Sequence, residues 1–249
     1  MTDNSAPIRL IVFDVDGVLT QGEAKSLDLR LLERLAAMNR AARQDPDRPG
    51  ITLGTGRPAP YVEALLQAID GHLPALFEHG AGLYVPEGYR FLRHPDMGDP
   101  AQFEAARACL RVALVETGKA FFQPGKEYSL SLFAHDPAQT GALYDWAVEA
   151  LGSLRDSVDL LYSTSCLNVF PRGFHKGKGI EFLAKYSGCA LEEILGVGDS
   201  DVDLPFLARV GYSATPANAN LAIKQAVQYV APRPTADGVR DILAHFVGS

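Results

Sequence analysis

Along this chain, short unbroken apolar runs alternate with stretches in which apolar residues recur at helical spacing. Ile8 to Phe13 is apolar except for Arg9 and contains Ile8, Ile11 and Val12, the pattern of a strand buried on both faces of a parallel sheet. From Ser26 to Arg43, Leu27, Leu31, Leu35 and Met38 recur at helical spacing, with Ser26 placed to cap the helix. Asp45 to Gly50, reading DPDRPG, ends it. A short strand at Ile51 to Leu53 runs into GTGRP (Gly54 to Pro58), a helix follows from about Ala59 to Ile69, and Leu73 to Phe77 reads as a third core strand closing on EHGAG. Strand, helix, strand, helix, strand predicts an α/β fold with a doubly wound, Rossmann-like parallel sheet.

Between Leu83 and Ser165 the pattern changes. A hairpin (LYVPEGYRFL), a helix from Pro100 to Thr117, a strand from Tyr128 to Phe133, a helix from Ala138 to Leu151 and a strand from Val158 to Tyr162 follow one another. That order suits an α+β module with an antiparallel sheet. After Leu167 to Phe170 the core pattern returns. A helix from Lys176 to Tyr186, a strand from Ile194 to Val197 ending in GDSDVD, a strand from Val210 to Ser213, a helix from Ala219 to Val227, a short apolar pair at Tyr229 and Val230 and a closing helix from Asp237 complete it. The expected organisation is a discontinuous core, residues 1–83 and 166–249, with an inserted module at 84–165.

The 249 residues suffice for one large domain or a core with an insert. A formal net charge of −7 gives no electrostatic reason to expect nucleic acid or an anionic membrane as partner. Cys109, Cys166 and Cys189 are too far apart for a zinc knuckle or a CxxC motif, and an odd, scattered set suits a reducing compartment. The opening MTDNSAPIRL lacks a basic segment followed by an apolar core, and no run is long and apolar enough to span a bilayer. The expectation is a cytoplasmic protein, monomer or homodimer.

Chemistry concentrates at strand ends, where open α/β sheets bind ligands. Asp14 and Asp16 sit at i and i+2 after the first strand, followed by Gly17; alternation would send both to the same side. Two like charges so close are costly unless a cation lies between them or one holds a proton. Three further aspartates, Asp199, Asp201 and Asp203, follow the strand at Ile194 to Val197. A helix start would explain them by dipole complementarity, and a strand-ending turn would explain Asp14 and Asp16. Thr55, in a turn before a helix, suits an oxyanion or a simple cap.

Together, DVDGVLT (Asp14 to Thr20), Thr55 in GTGRP, Lys176 in HKGKG and Asp199 with Asp203 in GDSDVD resemble the four ordered motifs of the haloacid-dehalogenase-like phosphatase superfamily. The insertion between the second and third motifs, and EHGAG after the third strand, resemble the branch with a type-two α+β cap, which includes Cof-like, sugar-phosphate and phosphoglycolate phosphatases. The resemblance implies that Asp14 is the nucleophile and forms an aspartyl phosphate, and that Asp16 is the acid and then the base. It implies Mg²⁺ held by the Asp14 carboxylate, the Asp16 carbonyl and Asp199, with Asp203 supporting it directly or through water. Thr55 would offer its hydroxyl and backbone N–H to a phosphoryl oxygen, beside Gly56; Arg57 would reach phosphate or a carboxylate of the cap, an exposed surface arginine being the alternative. Lys176, before Lys178, would neutralise Asp14 and the transferring group. Val18 stands where many relatives have threonine, and Val202 where this branch often has asparagine, which removes a polar neighbour of the metal.

His79, His94, His135 and His175 share no metal-ligand spacing, and Lys126, Tyr128, Ser129 and Asn168 are candidates to face a cleft that no motif assigns. The expected activity is Mg²⁺-dependent hydrolysis of a small phosphorylated metabolite: a sugar phosphate, a glycosyl-glycerate phosphate or phosphoglycolate. A phosphomutase of the phosphomannomutase type is the alternative within this scaffold, and a catalytically silent binding module the alternative outside enzymes. Dehalogenase chemistry has no need of an acid at Asp16.

Overall fold

The computed structural model describes residues 6–163 and 165–248, and these form two compact units. One runs to Leu92 and resumes at Lys176; the other covers Arg93–His175. Residues 1–5 of the N-terminal segment discussed above lie outside the described residues.

In the first unit, β1 (Leu10–Phe13) is wholly buried. Helix α1 (Leu29–Gln44) starts three residues later than the apolar spacing suggests. Asp28, not Ser26, caps it, accepting from the backbone N–H groups of Arg30 and Leu31 at 3.0 Å each, a contribution of about 1 kcal/mol. Strand β2 (Gly50–Leu53), α2 (Ala59–Ala68) and β3 (Ala75–Phe77) follow, then β4 (Gly82–Val85) and β5 (Arg90–Arg93). β3 departs from the expected parallel order: it pairs antiparallel with β4, Phe77 opposite Gly82, and meets β2's end only through a bridge from Leu76 to Gly54. The cause is the EHGAG turn, whose Glu78, His79 and Gly80 all take left-handed backbone (φ 49°, 59° and 88°) and reverse the chain. The hairpin assigned above to the insert therefore pairs with β3, in a sheet ordered β3-β4-β5.

The second unit holds α3 (Pro100–Leu110), which continues through a π-helical turn to Val115, then β6 (Ala120–Phe122), β7 (Leu130–Ala134), α4 (Leu143–Leu151), β8 (Val158–Tyr162) and β9 (Leu167–Pro171). Its antiparallel sheet is ordered β6-β7-β9-β8. Alternation gives that sheet two characters. Leu130, Leu132, Leu167 and Val169 pack with Phe103, Ala106, Leu110, Leu143 and Ala147 of the helices in one buried cluster, while Ser131 and Asn168, opposite one another in register, lie on the other face.

The first unit resumes with α5 (Lys176–Ser187), β10 (Ile194–Val197), α6 (Leu204–Leu207), β11 (Tyr212–Thr215), α7 (Leu221–Ala226), β12 (Tyr229–Val230) and α8 (Thr235–Val247). The main sheet is ordered β12-β11-β10-β1-β2, every pair parallel. Register decides where the chemistry lies. Phe13 is level with Leu53 on one side and Val197 on the other. The next residues, Asp14, Gly54 and Gly198, therefore leave the sheet along one edge, at its carboxyl end. No helix among the described residues is long and apolar enough to cross a membrane.

Candidate active site

Asp14 leaves β1 with its N–H still in the ladder, donating to the Val197 carbonyl at 2.8 Å, which aims its side chain at the edge between β1 and β10. It is buried, as is Lys176 at the start of α5. The Lys176 ammonium donates to Asp14 Oδ1 at 3.1 Å and to Asp203 Oδ1. Asp203 is used up by such contacts: its Oδ2 accepts from the backbone N–H groups of Asp199 and Ser200 and from Ser200 Oγ, each at 3.1 Å. It thus locks the Gly198–Asp203 loop and the lysine at once. Lys178, the second lysine candidate, lies two residues further along α5 and half-buried; Lys176 is the one that reaches Asp14.

Carboxylate oxygens of Asp14, Asp199 and Asp203 come within 4.8 Å of one another. Burial pushes the Asp14 carboxyl up to about 7, with Lys176 opposing and Asp203 and Asp16 adding to the rise. Burial likewise pushes Asp199 up to about 8, reinforced by Asp14 and Asp203. Burial works against the Lys176 ammonium, but Asp14 and Asp203 outweigh it and hold its pKa above the usual lysine value. One ammonium among three carboxylates leaves the group short of positive charge. The acidic oxygens are hard donors of the kind Mg²⁺ takes, so the residues fit a divalent cation.

Gly17 closes this group on one side. Its φ is +81°, and a Cβ there would stand 1.9 Å from Asp199 Oδ2. Its carbonyl accepts from Asn218 Nδ2 at 2.8 Å. Gly17→Ala is therefore expected to displace Asp199 and lower any turnover that relies on it by about 10²-fold, the usual scale for misplacing a reacting group by an ångström. The check is steady-state kinetics beside a melting curve; unchanged turnover in a folded variant would remove Asp199 from the working site.

Asp16 is not one of the three grouped carboxylates. β1 ends at Phe13, so strand alternation no longer governs it, and its carboxylate meets Arg57 in a bidentate pair, Nε to Oδ2 at 2.6 Å and Nη2 to Oδ1 at 2.7 Å. Arg57 was expected to reach a phosphate or a carboxylate of the inserted module; its partner in the structure is instead Asp16, in the same unit. Thr55 is buried at the end of β2, but its N–H, expected to face a phosphoryl oxygen, donates to the Leu76 carbonyl at 3.2 Å. Its Oγ1 accepts from the Arg57 N–H at 3.3 Å, which leaves the hydroxyl proton to donate. Gly56 lies against the His79 ring, where a Cβ would come within 2.3 Å. His79 and Glu78 also bond the loop's backbone, donating to the Thr55 and Arg57 carbonyls at 2.8 and 2.9 Å.

Two residues that hold the site escaped the sequence reading. Asn218 bonds the Gly17 carbonyl, and Asn220 donates to Asp201 Oδ1 at 2.8 Å while capping α7. Their place just after β11 was the available signal, since that strand also ends at the carboxyl edge. Asn220 gives the acidic loop polar support from outside, where Val202 offers none.

The haloacid dehalogenase-like hydrolase family matches residues 133–243 of this chain. A phosphoglycolate phosphatase of Methanothermobacter thermautotrophicus is 24% identical over 244 residues, covering 97% of this chain and all of its own length. One from Halorubrum lacusprofundi is 29% identical over 246 residues, covering 94% and 95%. Among solved structures, a Thermoplasma acidophilum protein superposes with a TM-score of 0.76 at 21% identity over 98% of this chain and 100% of its own. A haloacid dehalogenase-like hydrolase from Bacteroides thetaiotaomicron gives 0.70 at 19% identity over 96% and 99%. The family match and the near-full-length relatives together support a place for the chain in the haloacid dehalogenase-like superfamily. The family match itself takes in Lys176, Asp199 and Asp203; Asp14 and Thr55 fall within the near-full-length similarity to the relatives. These solved structures share the fold of this chain along nearly its whole length.

Proposed function

We propose that this protein is a Mg²⁺-dependent phosphomonoesterase that works through an aspartyl phosphate on Asp14 and acts on a small phosphorylated metabolite, phosphoglycolate being the named substrate of its relatives. The protein is a phosphatase. The observation that carries the finer reading is the buried ammonium of Lys176 between Asp14 and Asp203, with Asp199 completing a three-carboxylate group.

In this reading Lys176 holds Asp14 Oδ1, and the other carboxylate oxygen attacks phosphorus in line with the ester oxygen. The P–O ester bond breaks and the leaving alkoxide takes a proton from Asp16. In the second half, Asp16 accepts a proton from water as the water oxygen attacks the acyl phosphate, which frees Asp14 and inorganic phosphate. The Arg57 pair must open for Asp16 to reach a leaving-group oxygen, and the guanidinium released is then placed to meet phosphoryl oxygens. Thr55 Oγ1 donates to the same group. Asp14, Asp199 and the Asp16 carbonyl would hold the cation, with Asp203 behind them; when bound it supplies positive charge to the transferring phosphoryl group.

The test is inorganic phosphate release from an aryl phosphate and a panel of phosphorylated acids and sugars, with Mg²⁺ and with chelator. Metal-dependent release is expected. Isomerisation of a sugar phosphate without release, or silence throughout in a folded protein, would overturn the phosphomonoesterase reading.

A further inference from the structure

Two groups hold Arg57, one at an edge of its guanidinium and one at its face. The edge formed by Nε and Nη2 pairs with Asp16 at 2.6 and 2.7 Å. At the face, its Cζ lies over the ring of Tyr61, 4.8 Å from the centroid. Tyr61 stands four residues further on, in the first turn of α2, where its N–H donates to the Pro58 carbonyl at 3.1 Å. That spacing brings the two side chains to one side of the turn. The ring is half-buried, next to the face of α2 that puts Val62, Leu65 and Leu66 into the core. Among the described residues its hydroxyl has no hydrogen-bond partner, so a bond at the polar end of the ring does not account for a tyrosine here.

The aromatic face does account for it. A guanidinium meets anions through its edges and aromatic rings through its face, so the two contacts do not compete. Asp16 takes the Nε proton and one Nη2 proton, which leaves the Nη1 protons and the second Nη2 proton open; Tyr61 uses none of them. A carboxylate in place of Tyr61 would hold Arg57 by occupying those donors. An aliphatic side chain would leave them open but would not attract the cation. The difference matters once Asp16 acts as acid or base and its pair with Arg57 opens. A long, flexible cation released from a carboxylate turns to water unless a second contact outweighs its regained freedom. The ring supplies that contact whichever partner the edges have.

We propose that Tyr61 is a positioning residue that keeps the Arg57 guanidinium in the site while its edge passes from Asp16 to the phosphoryl group; the kinetic part rests on the phosphatase reading above. Tyr61→Phe keeps the ring, whereas Tyr61→Leu fills the space without it. For an aryl phosphate, kcat/KM is expected to fall about 5- to 20-fold in Tyr61→Leu, the scale of a partly buried cation–π contact, and to stay within about twofold of wild type in Tyr61→Phe. In an Arg57→Ala background Tyr61→Leu should have no further effect. Equal losses in the two Tyr61 variants, or a loss in Tyr61→Leu that persists without Arg57, overturn the proposal. Should Tyr61→Leu fail to fold, Tyr61→Met takes its place. Wild-type silence would sink the phosphatase reading alone, because a second measurement needs no turnover. In an Asp16→Asn background, where the carboxylate pair is already broken, the Arg57 Nε proton is followed by NMR. It should exchange with water about 5- to 20-fold faster with Tyr61→Leu than with Tyr61→Phe; equal rates overturn the hold of Tyr61 on Arg57.

Discussion

Asp14→Asn is expected to lower phosphate release by about 10⁴-fold or more, with the fold intact. Asparagine keeps the side-chain shape, and its oxygen still accepts from Lys176, so the contact at 3.1 Å survives in kind. What disappears is the anionic oxygen that attacks phosphorus, and no neighbour replaces it: Asp203 has both oxygens engaged, by Lys176 and by the 199–200 backbone, and Asp16 is bound by Arg57. A loss this large marks a covalent role, because removing one partner of an electrostatic group costs nearer 10²- to 10³-fold. Two measurements decide the matter. Steady-state release should vanish against background, and acid-quenched single turnover of wild type should leave a phosphoryl group on Asp14 by peptide mass spectrometry. Substantial turnover by Asp14→Asn, or the adduct on another residue, would remove Asp14 as nucleophile.

The parts of this site that were legible in the sequence are those fixed by strand ends. Asp14, Thr55 and Asp199 come just after apolar runs, and a parallel sheet with level register must bring such residues to one edge; Lys176 was legible because the HKGKG motif marks it and a lysine at a helix start is electrostatically out of place. The missed features depend on what a loop does after leaving the sheet. Nothing in DVDGVLT says that Asp16 turns to Arg57, forty-one residues away. Nothing in EHGAG, read alone, says that three successive left-handed residues reverse β3 into an antiparallel sheet. The cap on α1 was misplaced for a local reason: Ser26 and Asp28 are both good N-caps, and the ion pair from Asp28 to Arg240, 212 residues on, is visible only in the fold. Asn218 and Asn220 act through single hydrogen bonds between loops, which leave no periodicity behind.

Metal-free protein is expected to lose stability as pH rises from about 5 to about 8, and Mg²⁺ to restore it. The sign follows from Asp14 and Asp199. Burial and mutual repulsion raise their carboxyls to about 7 and about 8, whereas in the unfolded chain both titrate near 3.8. Between those limits the folded state holds protons that the unfolded state has released, so their contribution is fully present below pH 4 and lost as pH climbs through 7 and 8. A cation that binds only the folded state reverses the loss, by about 2.7 kcal/mol at a hundredfold excess over its Kd. The control is Asp199→Asn, which removes one buried charge. Its metal-free melting temperature should exceed that of wild type at pH 8, the gap should close towards pH 5, and Mg²⁺ should shift it less. Using the difference between the two proteins cancels the titrating groups remote from Asp199, including the half-buried His72, whose pKa burial lowers. A gap independent of pH, or equal Mg²⁺ shifts in the two proteins, would mean that Asp199 neither titrates with the site nor helps to hold the cation, and the three-carboxylate group would then have to be read as a purely structural clamp on the loop and on Lys176.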